Sequence, residues 1–367
     1  MIRLLIVDDS PLMRRLLSTV FAAEGDFELA FARNGTEALG QLAAFRPDVI
    51  TLDIQMPEMD GLTCLNHIML EHPCPVVMVS SLTTEGADAT LEAMSLGAVD
   101  FITKPKRAVS LEIETLAPVL VAKVRAASRA RLPRTLRLAD RVRLRSGLDV
   151  KPSPALQKPL RPVQTARRSR KVDAPVRNLI LVGTSTGGPP ALDALLTRLP
   201  PDFPWPLVVA QHMPGSFTGP LARRLDKLCA LSVVEVTRPM PLEAGTVYIG
   251  KGDADVIVSM RLDGPVVMAA PSLPEHRWHP SVDRLVDSAM QHFSPGGLIG
   301  VLMTGMGSDG AQTMTRLREQ GGRTIAEAEE SAVVWGMPGE LVRRGGAEVV
   351  TPLEQIADHL LDMVRRS

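Results

Sequence analysis

The sequence is poor in aromatic residues and cysteine, and it has no long apolar run. Aromatic residues make up 3% of the 367 residues, too few for a stacking platform that reads single-stranded nucleic acid. The three cysteines, Cys64, Cys74 and Cys229, lack metal-ligand spacing, so we expect free thiols and a cytoplasmic protein. No stretch of about 18 apolar residues occurs, and a strand-like segment directly follows Met1, so we expect neither membrane insertion nor a signal peptide.

Net charge is also absent, because 41 Lys and Arg offset 41 Asp and Glu, but the two signs are separated along the chain. Residues 1–122 contain 8 basic and 17 acidic side chains, residues 123–177 contain 17 and 3, and residues 178–367 contain 16 and 21. The Pro- and Arg-rich middle part predicts a linker between two acidic domains. Three roles fit this basic segment: a solvated tether, a patch that binds nucleic acid or an anionic surface, and an electrostatic clamp onto the two acidic domains. No DNA-reading motif accompanies it, which argues against nucleic acid as a partner.

Short apolar runs alternate with longer amphipathic segments over residues 1–122, which predicts a parallel α/β sheet covered on both faces. Functional groups of such sheets gather beyond the carboxyl ends of the strands. The residues at these ends are Asp8, Asp9, Asp53, Ser80 and Lys104. Converging carboxylates repel one another, which a hard cation such as Mg²⁺ would relieve. On this argument alone, an acidic cluster without a metal ion remains an equal alternative.

Four motifs in this half carry a resemblance to a known family: DDS at 8–10, LDIQMPEMDG at 52–61, VSS at 79–81 and FITKP at 101–105. Together they resemble the receiver domain of two-component response regulators, which implies a flavodoxin-like fold with five parallel strands. The resemblance implies that a histidine kinase is the phosphodonor and that Asp53 is the phospho-acceptor. It implies Mg²⁺ ligands at Asp9, Asp53 and the backbone carbonyl of Gln55, with help from Asp8. It also implies phosphoryl contacts from Ser80 and Lys104 and an activation switch at Phe101.

Strands and helices also alternate over residues 178–367, which predicts a second, doubly wound α/β domain. Short runs separated by Gly and Pro at 232–270 predict antiparallel hairpins inserted into it. Ser185 lies on a glycine-flanked turn between a strand and a helix, a position typical of an exposed nucleophile. A phosphate-binding turn or an ordinary helix N-cap fits the same turn. His212 and Asp309 each follow a strand and would supply the base and its orienting acid.

Two alternatives compete with this arrangement. His359 would give the residue order of α/β-hydrolases, but its surroundings predict the interior of an amphipathic helix. GMGSDG at 305–310 matches a dinucleotide-binding pattern, with Glu327 at a suitable distance downstream. That interpretation leaves the Ser185 turn and His212 without a role.

Four further motifs, GTSTGGPPAL at 183–192, VVAQHMPGSFT at 208–218, HPSVDRL at 279–285 and LMTGMGSDGA at 302–311, closely resemble the catalytic domain of the chemotaxis methylesterase family. The resemblance implies Ser185 as nucleophile, His212 as base, Asp309 as orienting acid, Thr186 beside the substrate and an oxyanion contact from the backbone N–H of Met306. It implies hydrolysis of glutamate γ-methyl esters and deamidation of glutamines on the cytoplasmic helices of chemoreceptors, without a cofactor for the esterase step. The receiver would cover the catalytic face until Asp53 is phosphorylated. Two alternatives to this function are a response regulator of another pathway with the same esterase domain and a phospho-regulated adaptor without catalysis.

Overall fold

The computed structural model of the protein describes residues 1–81, 83–104, 110–132 and 176–366, apart from the side chains of 84 and 110–116. Most of the linker predicted at 123–177 lies outside the described residues. The three cysteines are unpaired, and burial raises the pKa of each thiol to about 12.

The N-terminal half is a five-stranded parallel sheet in the order β2-β1-β3-β4-β5. Two of its three interior strands, β3 and β4, are buried at every residue, which explains their nearly continuous apolar sequences. Helices cover both faces and begin at capping side chains such as Ser10, Asn34 and Asp60. The elements are β1 Ile2–Val7, α1 Pro11–Ala22, β2 Phe27–Ala32, α2 Gly35–Phe45, β3 Val49–Asp53, α3 Gly61–Glu71, β4 Val76–Ser80, α4 Thr84–Ser95, β5 Asp100–Thr103 and α5 Ser110–Ser128.

The C-terminal half has a seven-stranded parallel sheet in the order β15-β14-β13-β6-β7-β10-β8 and a three-stranded antiparallel sheet in the order β11-β12-β9. The strands are β6 Leu179–Thr184, β7 Leu207–Gln211, β8 Ser232–Val236, β9 Met240–Pro241, β10 Thr246–Gly250, β11 Asp255–Arg261, β12 Gly264–Ala270, β13 Leu298–Leu302, β14 Arg323–Glu327 and β15 Val349–Thr351. The helices are α6 Gly188–Leu196, α7 Gly215–Leu228, α8 Val282–Met290, α9 Ala311–Glu319, α10 Met337–Arg343 and α11 Leu353–Arg366, with a 3-10 turn at Pro295–Gly297.

The α/β class of both halves is confirmed, but the prediction of hairpins throughout 232–270 is wrong in part. β8 and β10 join the main sheet, where β10 pairs in parallel with both β7 and β8. Only β9, β11 and β12 form the antiparallel sheet. Short apolar runs bounded by Gly and Pro are compatible with either pairing, because sequence spacing does not reveal which strand lies beside which.

The order of the main sheet decides where the catalytic candidates lie. β13, β6 and β7 are neighbours and run in the same direction, so the loops that follow them meet at one edge. In the N-terminal half, the loops after β1, β3, β4 and β5 meet in the same way. Helix α4 of the N-terminal half packs against α6 and α7 of the C-terminal half.

Candidate active site and phosphorylation site

The Ser185 turn leaves β6 and enters α6 within three residues. The N–H of Ser185 donates to the carbonyl of Thr304 at 3.0 Å, which joins this turn to the loop after β13. Gly187 has φ +76°, a conformation that side chains disfavour. A Cβ on Gly188 would lie 1.9 Å from Oε1 of Gln211. Both glycines are therefore required for the chain to turn this tightly beside β7, and the turn leaves Ser185 half-buried at the sheet edge.

His212 and Asp309 form a hydrogen-bonded pair at the same edge. Nε2 of the buried His212 lies 2.7 Å from Oδ2 of Asp309. The other ring nitrogen, Nδ1, is buried and has no hydrogen-bond partner among the described residues. Among those residues no hydrogen bond joins His212 to Ser185, but both side chains line one cavity of about 220 Å³. Nε2 of the imidazole is thus fixed by Asp309, and Nδ1 is available to accept a proton.

Asp309 is held as a carboxylate by the first turn of α8. Besides His212, it accepts the N–H groups of Val282 at 2.7 Å and Asp283 at 3.0 Å, and the hydroxyl of Ser281 at 3.0 Å. Burial alone would raise the pKa of Asp309, but these hydrogen bonds outweigh it and lower the pKa to about 2. A helix N-terminus also favours negative charge. Asp309 can therefore orient the imidazole and stabilise it when it becomes protonated.

A second acid lies beside this pair. Asp255, at the start of β11, is fully buried and accepts from Nδ1 of His279 at 2.8 Å, from the N–H of Ser281 at 2.8 Å and from Arg284 at 2.7 Å. Burial acts to raise the pKa of Asp255, but the hydrogen bonds outweigh it and the pKa lies below the ordinary value. His279 lines the cavity, so this group fixes one cavity wall.

The remaining candidates fall into two groups. Thr186 and Met306 line the cavity. Trp278, which the sequence analysis did not single out, also lines it, and its ring stacks on that of His212 with centroids 5.9 Å apart. His359 lies half-buried in α11 and is absent from the cavity lining. Glu327 is fully buried and hydrogen-bonded within the domain, so it is unavailable for the dinucleotide role.

The phosphorylation candidates converge beyond β1 and β3. Carboxylate oxygens of Asp8, Asp9 and Asp53 lie within 4.8 Å of one another. Lys104 Nζ lies 2.6 Å from Asp53 and 3.2 Å from Oδ2 of Asp8, yet that Asp8 oxygen accepts no hydrogen bond. Burial raises the pKa of Asp53 although Lys104 acts to lower it. A cluster of hard oxygen donors, in which Asp8 Oδ2 has the ion pair with Lys104 but no hydrogen bond, fits a divalent cation.

The other receiver candidates lie around this cluster. The N–H of Gln55 donates to Asp53 at 3.3 Å. The hydroxyl of Ser80 donates to the carbonyl of Gly86 at 3.1 Å. Phe101 is buried, and its ring lies 4.4 Å from that of Phe217, on α7 of the catalytic half. The switch candidate is therefore part of the contact between the two halves.

The receiver half closes the cavity that contains Ser185. Phe101, Ile102, Leu120 and Lys123 line it together with Ser185 and His212. Buried Asp100 accepts from the hydroxyl of Thr186 and from Lys123, and the N–H of Gly187 donates to the carbonyl of Val99 at 3.2 Å. The receiver thus bonds directly to the two residues after Ser185.

Sequence reasoning missed Asp100, Asp255 and Ser281. A signal for Ser281 existed, because a Ser directly before an amphipathic segment predicts an N-cap, and Ser281 does accept from the N–H of Arg284. Asp100 gave no such signal, since its partner Thr186 is 86 residues away.

Comparison with known proteins identifies the family. Residues 180–360 match the CheB methylesterase family, and residues 4–114 match the response regulator receiver domain. A Rhodopseudomonas palustris protein-glutamate methylesterase/protein-glutamine glutaminase is 58% identical over 99% of this chain and 98% of its own length. A Rhodospirillum rubrum protein of the same name is 52% identical over 98% of this chain and 95% of its own length. The chain belongs to the CheB methylesterase family.

This assignment confirms the family and the receiver predicted from the motifs. The Thermotoga maritima CheB methylesterase catalytic domain is 34% identical, with 52% of this chain and 98% of that chain covered and a TM-score of 0.49. Receiver domains of this class accept a phosphoryl group from a kinase at a site that binds a divalent cation. Within the described part of this CheB-family chain, no helix combines the length and apolar character needed to cross a membrane.

Proposed function

We propose that this protein hydrolyses glutamate γ-methyl esters on chemoreceptors, deamidates certain receptor glutamines, and is activated by phosphorylation of Asp53. The observation that carries the proposal is the His212–Asp309 pair at 2.7 Å, in one cavity with Ser185. Relatives named for both activities align with nearly the whole chain. An adaptor without catalysis would not need a buried base held by an ionised acid.

Ser185 attacks the side-chain carbonyl of the substrate while His212 takes its proton. Because Nε2 of His212 is engaged by Asp309, Nδ1 is the nitrogen that accepts the proton. The same nitrogen then protonates the leaving oxygen or nitrogen of the substrate, which departs as methanol or ammonia. Water cleaves the acyl-enzyme to give glutamate. Esters and amides share this route because both release a small leaving group.

The negative charge that develops on the substrate oxygen needs preorganised donors. We assign this role to the backbone N–H of Met306, which follows Gly305 in the loop after β13. A Cβ built on Gly305 would lie 2.8 Å from Cβ of Ser185, so the loop runs against the nucleophile. Thr186 would contact substrate once its hydroxyl is released from Asp100.

In the receiver, Asp9, Asp53 and the Gln55 carbonyl would hold Mg²⁺, with Asp8 assisting. A bound cation neutralises charge during phosphoryl transfer. Ser80 and Lys104 would contact the phosphoryl group, and a histidine kinase would be its source. Lys104 already bridges Asp8 and Asp53, so new phosphoryl oxygens would compete for its ammonium group. Lys104 follows β5, the strand that contacts the catalytic half.

A methanol-release assay on methylated receptor, with a small phosphodonor and Mg²⁺, tests the catalytic assignment. Ser185→Ala and His212→Ala should each abolish release, because one removes the nucleophile and the other its base. His359→Ala is the matched control and should retain activity. Loss of release in His359→Ala with activity retained in His212→Ala would refute the assignment and favour the α/β-hydrolase order.

A further inference from the structure

Glu327 is a buried carboxyl group for which the proposed reaction has no role. It ends β14, and its side chain is fully buried. Oε2 accepts the N–H of Thr304 at 2.7 Å, and Oε1 accepts the hydroxyl of Ser331 at 2.9 Å. Burying a carboxyl group carries a substantial desolvation cost, so its retention at this position calls for an explanation.

The residue that Glu327 holds connects β13 to the nucleophile turn. The carbonyl of Thr304 accepts the N–H of Ser185 at 3.0 Å. Its hydroxyl donates to the carbonyl of Thr186 at 2.8 Å and accepts the N–H of Val334 at 3.0 Å. Every hydrogen-bonding group of Thr304 is therefore used, and only its N–H depends on Glu327.

The same loop carries the proposed oxyanion donor. Met306 lies two residues beyond Thr304, and between them Gly305 donates to the carbonyl of Val334 at 3.0 Å. Thr304 itself is buried and absent from the cavity lining. Displacement of Thr304 would thus move reacting groups without removing a substrate contact.

We infer that Glu327 is a positioning residue for ester hydrolysis, which acts by holding the N–H of Thr304 and so aligning Ser185 with the oxyanion donor. This inference rests on the proposed function. Holding the N–H of Thr304 requires the length of the Glu327 side chain, which we call its reach, but not its negative charge. In the neutral form, Oε1–H donates to Ser331, whose hydroxyl then turns to the carbonyl of Ala328 at 3.3 Å, while Oε2 still accepts from Thr304.

Two small substitutions separate reach from charge. Glu327→Gln keeps the reach without the charge, and Glu327→Asp keeps the charge but retracts the carboxylate by one methylene group. We expect Glu327→Gln to retain kcat within about 3-fold and Glu327→Asp to lower it roughly 10- to 100-fold, because catalysis is sensitive to displacements near 1 Å. KM should stay within about 2-fold in both, since Thr304 touches no substrate. Glu330→Gln, an exposed site in the same loop, is the matched control.

The measurement is made on the full-length, phosphodonor-activated protein in two ways. Methanol release from methylated receptor gives kcat and KM. The rate at which a fluorophosphonate probe labels Ser185, followed by intact mass, reports the nucleophile and oxyanion donor without any receptor. Normal labelling without methanol release would count against the proposed substrate alone, whereas the labelling order of the two variants tests Glu327.

A Glu327→Gln variant that is faster than Glu327→Asp in both assays, with KM unchanged, supports the inference. The reverse order would assign the role to the charge and overturn it. Equal rates for the two variants, whether retained or lost, would also overturn it, as would a change confined to KM.

Discussion

At the scale of single residues, Glu327 makes stability depend on pH. Burial raises its pKa from 4.5 to about 7, and the polar groups facing it are the Thr304 N–H, the Ser331 hydroxyl and the carboxylate of Glu354. The folded state holds the proton more tightly than the unfolded state. The stabilisation is therefore complete below about pH 4.5 and is lost as pH rises through 7, by about 3 kcal/mol in total.

Thermal unfolding of the wild type and of Glu327→Gln between pH 5 and 8 measures this effect. The melting temperature of the wild type should fall by several degrees relative to the variant as pH rises, at about 2–4 °C per kcal/mol. Other titrating groups are common to both proteins and cancel in the difference. A difference in melting temperature that stays constant with pH would contradict the prediction.

The convergence of the proposed catalytic residues was within reach of sequence reasoning, and their supporting contacts were not. Ser185, His212 and Asp309 each follow an apolar run, so the parallel pattern alone predicts that they share a sheet edge. Which nitrogen of His212 faces Asp309 depends on the position of α8, whose N–H groups hold that carboxylate. Packing of a helix against a distant loop leaves no periodic signal in the sequence.

At the scale of elements, β5 connects the two sites. Its first residue, Asp100, accepts from Thr186, its second, Phe101, packs against Phe217, and Lys104 follows its end. The N–H of Lys104 donates to the carbonyl of Ser80 at 2.7 Å. One strand of four residues thus contacts both the phosphorylation cluster and the turn that carries Ser185.

Weakening the Asp100 contact should raise activity without phosphorylation. Asp100→Asn keeps the shape of the side chain but removes the charge that strengthens its bonds to Thr186 and Lys123. We expect the substitution to reduce the free energy that favours the closed arrangement by about 1 kcal/mol, which corresponds to an increase of about 5-fold in basal methanol release. Glu28→Gln, an exposed site on the opposite edge strand β2, is the control. Basal release equal to that of the wild type would show that Asp100 does not hold the receiver closed.

The elements of the main sheet illustrate a second limit of sequence reasoning. Alternating strands and helices were enough to predict a parallel sheet, because short crossovers leave few other arrangements. β8 and β10 escaped because no helix separates β9 from β8 or from β10 in the sequence, and short strands so connected are typical of hairpins. Their assignment to the main sheet depends on β10 lying between β7 and β8, which is a long-range contact.

At the scale of the whole molecule, the Ser185 cavity is closed by the contact between the receiver half and the catalytic half, which has an apolar part and a polar part. Its apolar part includes the Phe101–Phe217 pair and the packing of α4 on α6 and α7. Its polar part includes the hydrogen bond from Arg224 to Ser95 at 2.9 Å and the ion pair of Arg131 with Glu329 at 2.7 Å. An exposed hydrogen bond and an exposed ion pair of this kind contribute little each. We therefore expect a modest change in the receiver to shift the balance between closed and open arrangements.

Phosphorylation should accordingly expose Ser185, and the fluorophosphonate probe measures this without a receptor. In the wild type, acetyl phosphate with Mg²⁺ should speed labelling several-fold, because a receiver that releases Thr186 and Gly187 opens the cavity. Asp53→Asn removes the proposed phospho-acceptor and preserves the side-chain shape, so its labelling rate should not respond. Chelation of Mg²⁺ should abolish the response of the wild type while the basal rate stays unchanged, since the proposed attack by Ser185 and His212 uses no metal. A response that persists in Asp53→Asn would place the switch at another site. An unresponsive wild type that mass spectrometry shows to be phosphorylated would mean that phosphorylation leaves the cavity closed.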